Sequence, residues 1–127
     1  MTLTSRLASA ILLTLPILNL PARADEVEVG TALVCDTQQQ VERFVTVYDG
    51  DAEMAASAVN AEVHDASACA MASIAYVVSP PLATTRSRDA TFHIVRILVI
   101  GAITEDGLQS VRPTEFFSVL PVDEREA

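Results

Sequence analysis

Two cysteines and two histidines are the residues of this 127-residue chain with the greatest chemical potential. Cys35 comes just before a segment with helical periodicity, where the helix dipole lowers a thiol pKa and favours a nucleophilic thiolate. Cys69 lies far along the chain, without the C-x-x-C spacing of thiol oxidoreductases. Two cysteines in an exported chain usually pair, so we predict a Cys35–Cys69 disulfide. A small thiol- or metal-dependent enzyme using Cys35 with His64 or His93 is the alternative.

The motifs of common enzymes and metal sites do not occur in this sequence. It has neither the C-x-x-C nor the H-x-x-x-H spacing of zinc ligands, no G-x-S-x-G elbow and no glycine-rich phosphate loop. His93 stands in the middle of an apolar segment, which is typical of a core or interface histidine. We therefore predict no metal site, no cofactor and no catalytic residue, and a protein that binds rather than catalyses.

Charge limits the class of partner. Eight basic and seventeen acidic residues give a net charge of −9, and the chain has no lysine. Such a surface repels phosphate backbones, which argues against nucleic-acid binding. Against this background, Arg86 and Arg88 share one loop and Arg96 follows on the next strand. We predict that these arginines bind the carboxylates of a partner protein or of a small anionic ligand; ordinary pairing with nearby acidic residues is the alternative.

The first 24 residues have the features of a secretory signal peptide. Arg6 precedes an apolar run over 7–20, and Ala22-Arg23-Ala24 resembles a cleavage site. The run is too short for a membrane span. We predict a mature chain of residues 25–127, located in the periplasm or secreted, with no membrane span after cleavage. Its length suits a single small domain.

Hydrophobic periodicity predicts a strand followed by two helices. The strand covers Val27–Cys35, and Asp36 reads as the N-cap of the first helix with Gln39 completing a capping box. Asp51 is the predicted N-cap of the second helix. The expected inner faces are Val41, Phe44, Val45 and Tyr48 on the first helix, and Met54, Ala55, Ala58 and Val59 on the second.

After Cys69 the pattern changes to strands. We predict strands over 69–79, 91–103 and 115–122, with a loop or an irregular hairpin tip over 82–90 and a turn at 104–107. The resulting order, β-α-α-β-β-β, predicts an α+β domain in which a helical pair covers one face of an antiparallel sheet. A small SH3-like barrel of the late strands, with the helices as an N-terminal addition, is the alternative.

Three segments carry a resemblance: CDTQQQVERFV at 35–45, SACAM at 67–71 and FHIVRILVIGAIT at 92–104. Together they resemble short exported bacterial proteins of unknown function, which have a signal peptide and one compact domain with two cysteines. The resemblance implies export and a single domain, and no activity. The leading prediction is a disulfide-stabilised binding module. A structural envelope component or oligomer subunit is a further alternative, since the apolar strand 91–103 would suit an interface if one face were exposed.

Overall fold

The computed structural model describes residues 26–88 and 90–122, so the predicted signal peptide lies outside the described residues. The elements are β1 Val27–Cys35, α1 Gln38–Val47, α2 Ala52–Val63, β2 Cys69–Val78, β3 Ala83–Arg86, β4 Thr91–Thr104 and β5 Gly107–Pro121. The predicted α+β class and the order of the predicted elements are confirmed. The short strand β3 lies within the segment that was predicted to be a loop or an irregular hairpin tip, and it pairs with the start of β4 as a hairpin does.

Helix α1 begins one residue later than predicted. Thr37 is its N-cap: the Thr37 Oγ1 accepts a hydrogen bond from the Gln40 N–H, and the Gln40 Oε1 accepts one from the Thr37 N–H, both at 3.1 Å. This capping box replaces the predicted one of Asp36 and Gln39. Asp36 still belongs to the strand pairing, because its N–H donates to the Ala68 carbonyl at 3.0 Å.

Helix α2 has the predicted N-cap and a different buried stripe. The Asp51 side chain accepts from the Met54 N–H at 3.1 Å. Ala55 and Val59 are buried as predicted, but Met54 is 65% exposed and Ala56 is buried instead. The prediction for Met54 was wrong because the contact with the sheet runs through Ala55, Ala56 and Val59, which turns Met54 toward solvent.

The sheet is entirely antiparallel and closes on itself. β1 pairs with β2 along its whole length. β2 also pairs with the second half of β4, β4 pairs with β5, and β5 returns to β1 at Cys35–Phe117. These four strands form a ring, and β3 pairs with the beginning of β4 beside it. The helices connect β1 to β2, so they are not an N-terminal addition to a barrel.

Because side chains alternate along a strand, the rolled sheet has an inner and an outer face, and both pack. Ile94 and Val95 of β4 are both fully buried and belong to different clusters. The inner cluster consists of Ile74, Val95, Ile97 and Val99. The outer cluster, against the helices, includes Leu33, Cys35, Val41, Phe44, Val45, Ala55, Ala56, Val59, Cys69, Phe92 and Ile94. This double packing explains why β4 is apolar on both sides.

Strand β5 is longer than predicted. The sequence pattern predicts a start at Glu115, with LQSVRP at 108–113 leading to the strand. In the structure β5 starts at Gly107, directly after the predicted turn. Between the pairs Val99–Thr114 and Gly101–Ser110, residues 111–113 of β5 are opposite a single residue of β4, Ile100. This mismatch is a bulge. Pro113 therefore lies where no ladder hydrogen bond is required.

Candidate functional site

Cys35 and Cys69 form the predicted disulfide. They are directly opposite residues of β1 and β2, with Cα atoms 4.1 Å apart, and their exposed fractions are 0% and 2%. Neither cysteine of the chain is free. A bonded, buried sulfur is not a nucleophile, so the thiol chemistry considered for Cys35 is not accessible in this oxidised form. The pair acts as a covalent link between two strands.

Asn60 of α2 completes the free edge of β2 beside the disulfide. Its Oδ1 accepts from the Cys69 N–H at 2.8 Å and its Nδ2 donates to the Cys69 carbonyl at 2.9 Å. The same Nδ2 donates to the Ala66 carbonyl at 3.0 Å. A neighbouring strand would make the same two bonds to Cys69. The amide therefore takes the place of a strand and fixes α2 to the sheet.

Two of the three predicted binding arginines lie at the same end of β3. The Arg86 Nη1 donates to the Thr91 Oγ1 at 2.7 Å across the β3–β4 pair. Arg88 follows in the connection to β4, where it is exposed. These two arginines therefore share the tip of this hairpin.

Arg96 does not join the other two. It lies roughly 16 Å further along β4 than Thr91 at the usual rise per residue, and its side chain leaves the opposite face of the strand. Its Nε is 3.5 Å from the Glu115 Oε2, and its guanidinium carbon is 5.9 Å from the centre of the Phe117 ring. The structure thus separates the predicted basic group into a hairpin tip and a paired arginine.

The two histidines belong to different elements, His93 to β4 and His64 to the end of α2. The His93 Nδ1 is 3.0 Å from the Thr84 Oγ1. His64 ends α2 in the left-handed conformation, with φ of 59°. Over residues 26–88 and 90–122, no three His, Cys, Asp or Glu side chains come together as a metal site would require.

A hollow of about 440 Å³ lies beside His64 at the end of α2. It includes Asp65, whose carboxylate accepts hydrogen bonds from the N–H and the Oγ of Ser67 at 2.9 and 3.0 Å. These bonds hold the pKa of Asp65 below its ordinary value. The Asp65 carboxylate is therefore engaged within its own turn.

The most distinctive exposed surface is aliphatic. We define the aliphatic face as the side chains of Val27, Val29, Leu98, Ile103 and Leu108, which are between 40% and 60% exposed. They belong to β1, β4 and β5. The helices pack on the other end of the outer face, near Leu33 and the disulfide.

Strand pairing makes this face contiguous. Two rows of directly opposite residues cross β1, β2 and β4: Val27–Val77–Leu98 and Val29–Ala75–Gly101. Leu108 lies over Gly101, because a Cβ placed on Gly101 would be 3.0 Å from the Leu108 Cδ1 and 3.4 Å from the Ala75 Cβ. Ile103 is directly opposite Leu108. The five side chains therefore share one part of the sheet.

Carboxylates border the aliphatic face. Glu105 and Asp106 form the turn between Ile103 and Leu108, and both are exposed. Glu115 is directly opposite Leu98. The sequence pointed to an interface on strand 91–103 only on the condition that one face is exposed. It did not identify Val27, Val29 or Leu108 as part of an interface. The alternation Val27-x-Val29 is the sequence signal that indicates the two valines share one face of the strand.

Comparisons with known protein families, with curated proteins and with solved structures give no match to this chain. Within the described part of the chain, neither helix combines the length and the apolar character needed to cross a membrane. The disulfide and the surface of the domain are therefore the observations on which a functional proposal depends.

Proposed function

We propose that the protein is an exported, disulfide-stabilised binding module that docks a partner protein on its aliphatic face. One observation carries this proposal: five aliphatic side chains lie together on a part of the sheet that the helices leave uncovered. Single exposed apolar residues are common, whereas contiguous exposed apolar surface is typical of an interaction site.

The charge around the face defines the chemistry of the partner. Carboxylates of Glu105 and Asp106 border it, Glu115 lies beside it paired with Arg96, and the chain as a whole carries a net charge of −9. A second copy would bring like charges together, which disfavours association. The complementary partner presents aliphatic side chains flanked by Lys or Arg.

Export is the other part of the proposal. The segment 1–24 reads as a signal peptide, and disulfides form and persist in oxidising compartments. Protein recovered from the periplasm or medium of its source should have the intact mass of Asp25–Ala127 less two hydrogens. An unprocessed chain, or two free thiols in the recovered protein, would contradict export with a structural disulfide.

Two synthetic peptides test the partner chemistry directly. One alternates leucine with lysine, and the other alternates leucine with glutamate at the same length. We expect the lysine peptide to bind at least tenfold more tightly, and added salt to weaken it, since screening acts on exposed charges. Equal affinities for the two peptides would contradict the role of the acidic border.

Variants localise the binding. Val29→Thr combined with Leu108→Gln keeps a β-branched residue in β1 and removes apolar surface, so the lysine peptide should lose about tenfold or more in affinity. Met54→Gln is the matched control, because Met54 is 65% exposed on α2, outside the aliphatic face. Unchanged binding by the double variant would refute the site. A concentration-dependent dimer of the natural chain that the double variant does not form would refute the proposed partner, because a second copy of the chain would then occupy the aliphatic face.

A second contact is proposed at the hairpin tip that carries Arg86 and Arg88, for a carboxylate of the partner or for a small anionic ligand. Substitution of both by alanine should weaken capture of a carboxylate-bearing partner without affecting the lysine peptide. Arg96→Ala is the comparison, because Arg96 already contacts Glu115. Equal capture by the natural chain, by the variant with both Arg86 and Arg88 replaced and by Arg96→Ala would argue against this contact.

A further inference from the structure

A second, smaller site lies where β1 and β5 part from each other. Their only pair in register is Cys35–Phe117, and beyond it the two strands diverge. The end of α1 and the start of α2 cover the gap incompletely. The result is an open cavity of about 180 Å³ between the helices and the outer face of the sheet.

The wall of this cavity is apolar and largely aromatic. Its main lining residues are Leu33, Phe44, Tyr48, Met71, Phe92 and Val119. The rings of Phe44 and Tyr48 stack with centres 5.6 Å apart, and Tyr48 meets Phe92 edge-on at 5.8 Å. Leu33 and Phe44 are each 3% exposed, and Phe92 is 9% exposed. Mutually packed rings of this kind form a rigid wall with little freedom to lose on binding.

The polar groups of the cavity restrict the ligand further. Thr31 and Ala52 complete the lining, and Thr31 is exposed with its Oγ1 3.3 Å from the Ser73 Oγ. No Arg, Asp, Glu or His is among the described lining residues. A charged ligand would lose its hydration here without gaining a partner of opposite charge, so a neutral ligand is favoured.

Volume sets the size of the ligand. The cavity of about 180 Å³ has room for one ring-sized molecule, and because the cavity is open, one side of that molecule would stay in contact with solvent. We propose that the cavity binds a small neutral aromatic molecule with a single ring. The ring would lie against the half-buried side chains of Tyr48, Met71 and Val119, with the buried rings of Phe44 and Phe92 behind them. This site is separate from the aliphatic face, and neither proposal depends on the other.

Toluene and benzoate are a matched pair of probes, because they share the ring and its one-carbon substituent and differ in charge. In an amide NMR titration of the protein with its disulfide intact, toluene should bind with a Kd on the order of 0.1–1 mM. Its shifts should centre on Leu33, Tyr48 and Phe92. Benzoate should bind at least tenfold more weakly. Comparable binding of benzoate, or toluene shifts centred elsewhere, would overturn the assignment.

Variants that fill the cavity complete the test. Ala52→Leu places extra side-chain volume in the cavity and should weaken toluene binding at least tenfold. Ala61→Leu makes the same change on an exposed position of the same helix and should leave binding within about twofold of the natural chain. Thr31→Phe blocks the cavity from an exposed strand position, so it serves if Ala52→Leu does not fold. Natural toluene affinity in a folded Ala52→Leu or Thr31→Phe variant would refute the site.

Discussion

Reduction of the Cys35–Cys69 disulfide should remove a large share of the stability of this domain. The two residues are 34 positions apart in sequence, and the bond closes a loop that contains both helices. For a loop of this length, the chain-entropy relation gives about 13 cal/mol/K, or about 4 kcal/mol at 298 K. A domain of about 100 residues has a total stability of about 5–15 kcal/mol. The reduced protein should therefore be folded only marginally.

The sulfur atoms also occupy the core. Cys35 and Cys69 belong to the cluster that joins the helices to the sheet. Two thiols need more room than a bonded pair, and two alanines leave small voids, so each form should lose about 1 kcal/mol more through packing. The reduced natural chain and the double variant Cys35→Ala/Cys69→Ala share the same loop entropy. Any difference between them therefore compares the crowding of two thiols with the voids left by two alanines.

Urea unfolding followed by circular dichroism provides the measurement. We expect the free energy of unfolding, extrapolated to water, to be about 4–5 kcal/mol lower for the reduced chain and for the double variant than for the oxidised chain. Their melting temperatures should be roughly 15–30 °C lower. The slope of the free energy against urea should rise, because the unfolded chain without the link exposes more surface. A reduced form within about 1 kcal/mol of the oxidised form would refute the reasoning, since the unfolded chain would then not gain the expected freedom.

Three further substitutions test single contacts. Asn60→Ala removes both hydrogen bonds to the Cys69 backbone and should cost about 2–3 kcal/mol in urea unfolding; a loss below about 0.5 kcal/mol would show that water replaces the amide. Thr37→Ala should lower the free energy of unfolding by about 1 kcal/mol, and Thr37→Ser should lower it much less, because serine can form the same capping box. Equal losses in the two variants would contradict the capping box. The pKa of Asp65 is lowered by its bonds from Ser67, so its contribution to stability is present above its ordinary pKa of 3.8 and is lost as pH falls through the folded-state value. Asp65→Asn should therefore fall below the natural chain in melting temperature at neutral pH and converge with it in acid; a pH-independent difference would contradict this.

Local signals predicted the local structure well. The alternation in Val27–Cys35, the Asp51 cap and the turn at 104–107 all act over a few residues. Hydrogen bonds at a helix start or in a tight turn join neighbours in sequence, so the sequence states both partners at once. The cap is at Thr37 and not at Asp36, whose N–H lies 3.0 Å from both the Gln40 Oε1 and the distant Ala68 carbonyl.

The candidate surfaces depend on distant segments and were only partly predictable. The arginines of one loop and one strand appeared close in sequence, but strand alternation places Arg96 on another face than Arg86. The exposure of Leu98 was stated only as a condition, because strand 91–103 is apolar on both sides. Leu108 was not predicted to belong to a strand. The bulge at 111–113, which lets β5 extend back to Gly107, is a property of the β4–β5 pair.

By itself, the sequence determined the succession of helices and strands, the acidity of the surface and the one disulfide that two cysteines can form. Only the tertiary structure decided that β2 and β4, and β1 and β5, close the sheet into a ring. That closure fixes which side chains the helices cover, which form the aliphatic face, and where a cavity remains. The physical reason is that alternation along a strand states which residues share a face. Whether that face is buried depends on the segments that return to it from far along the chain.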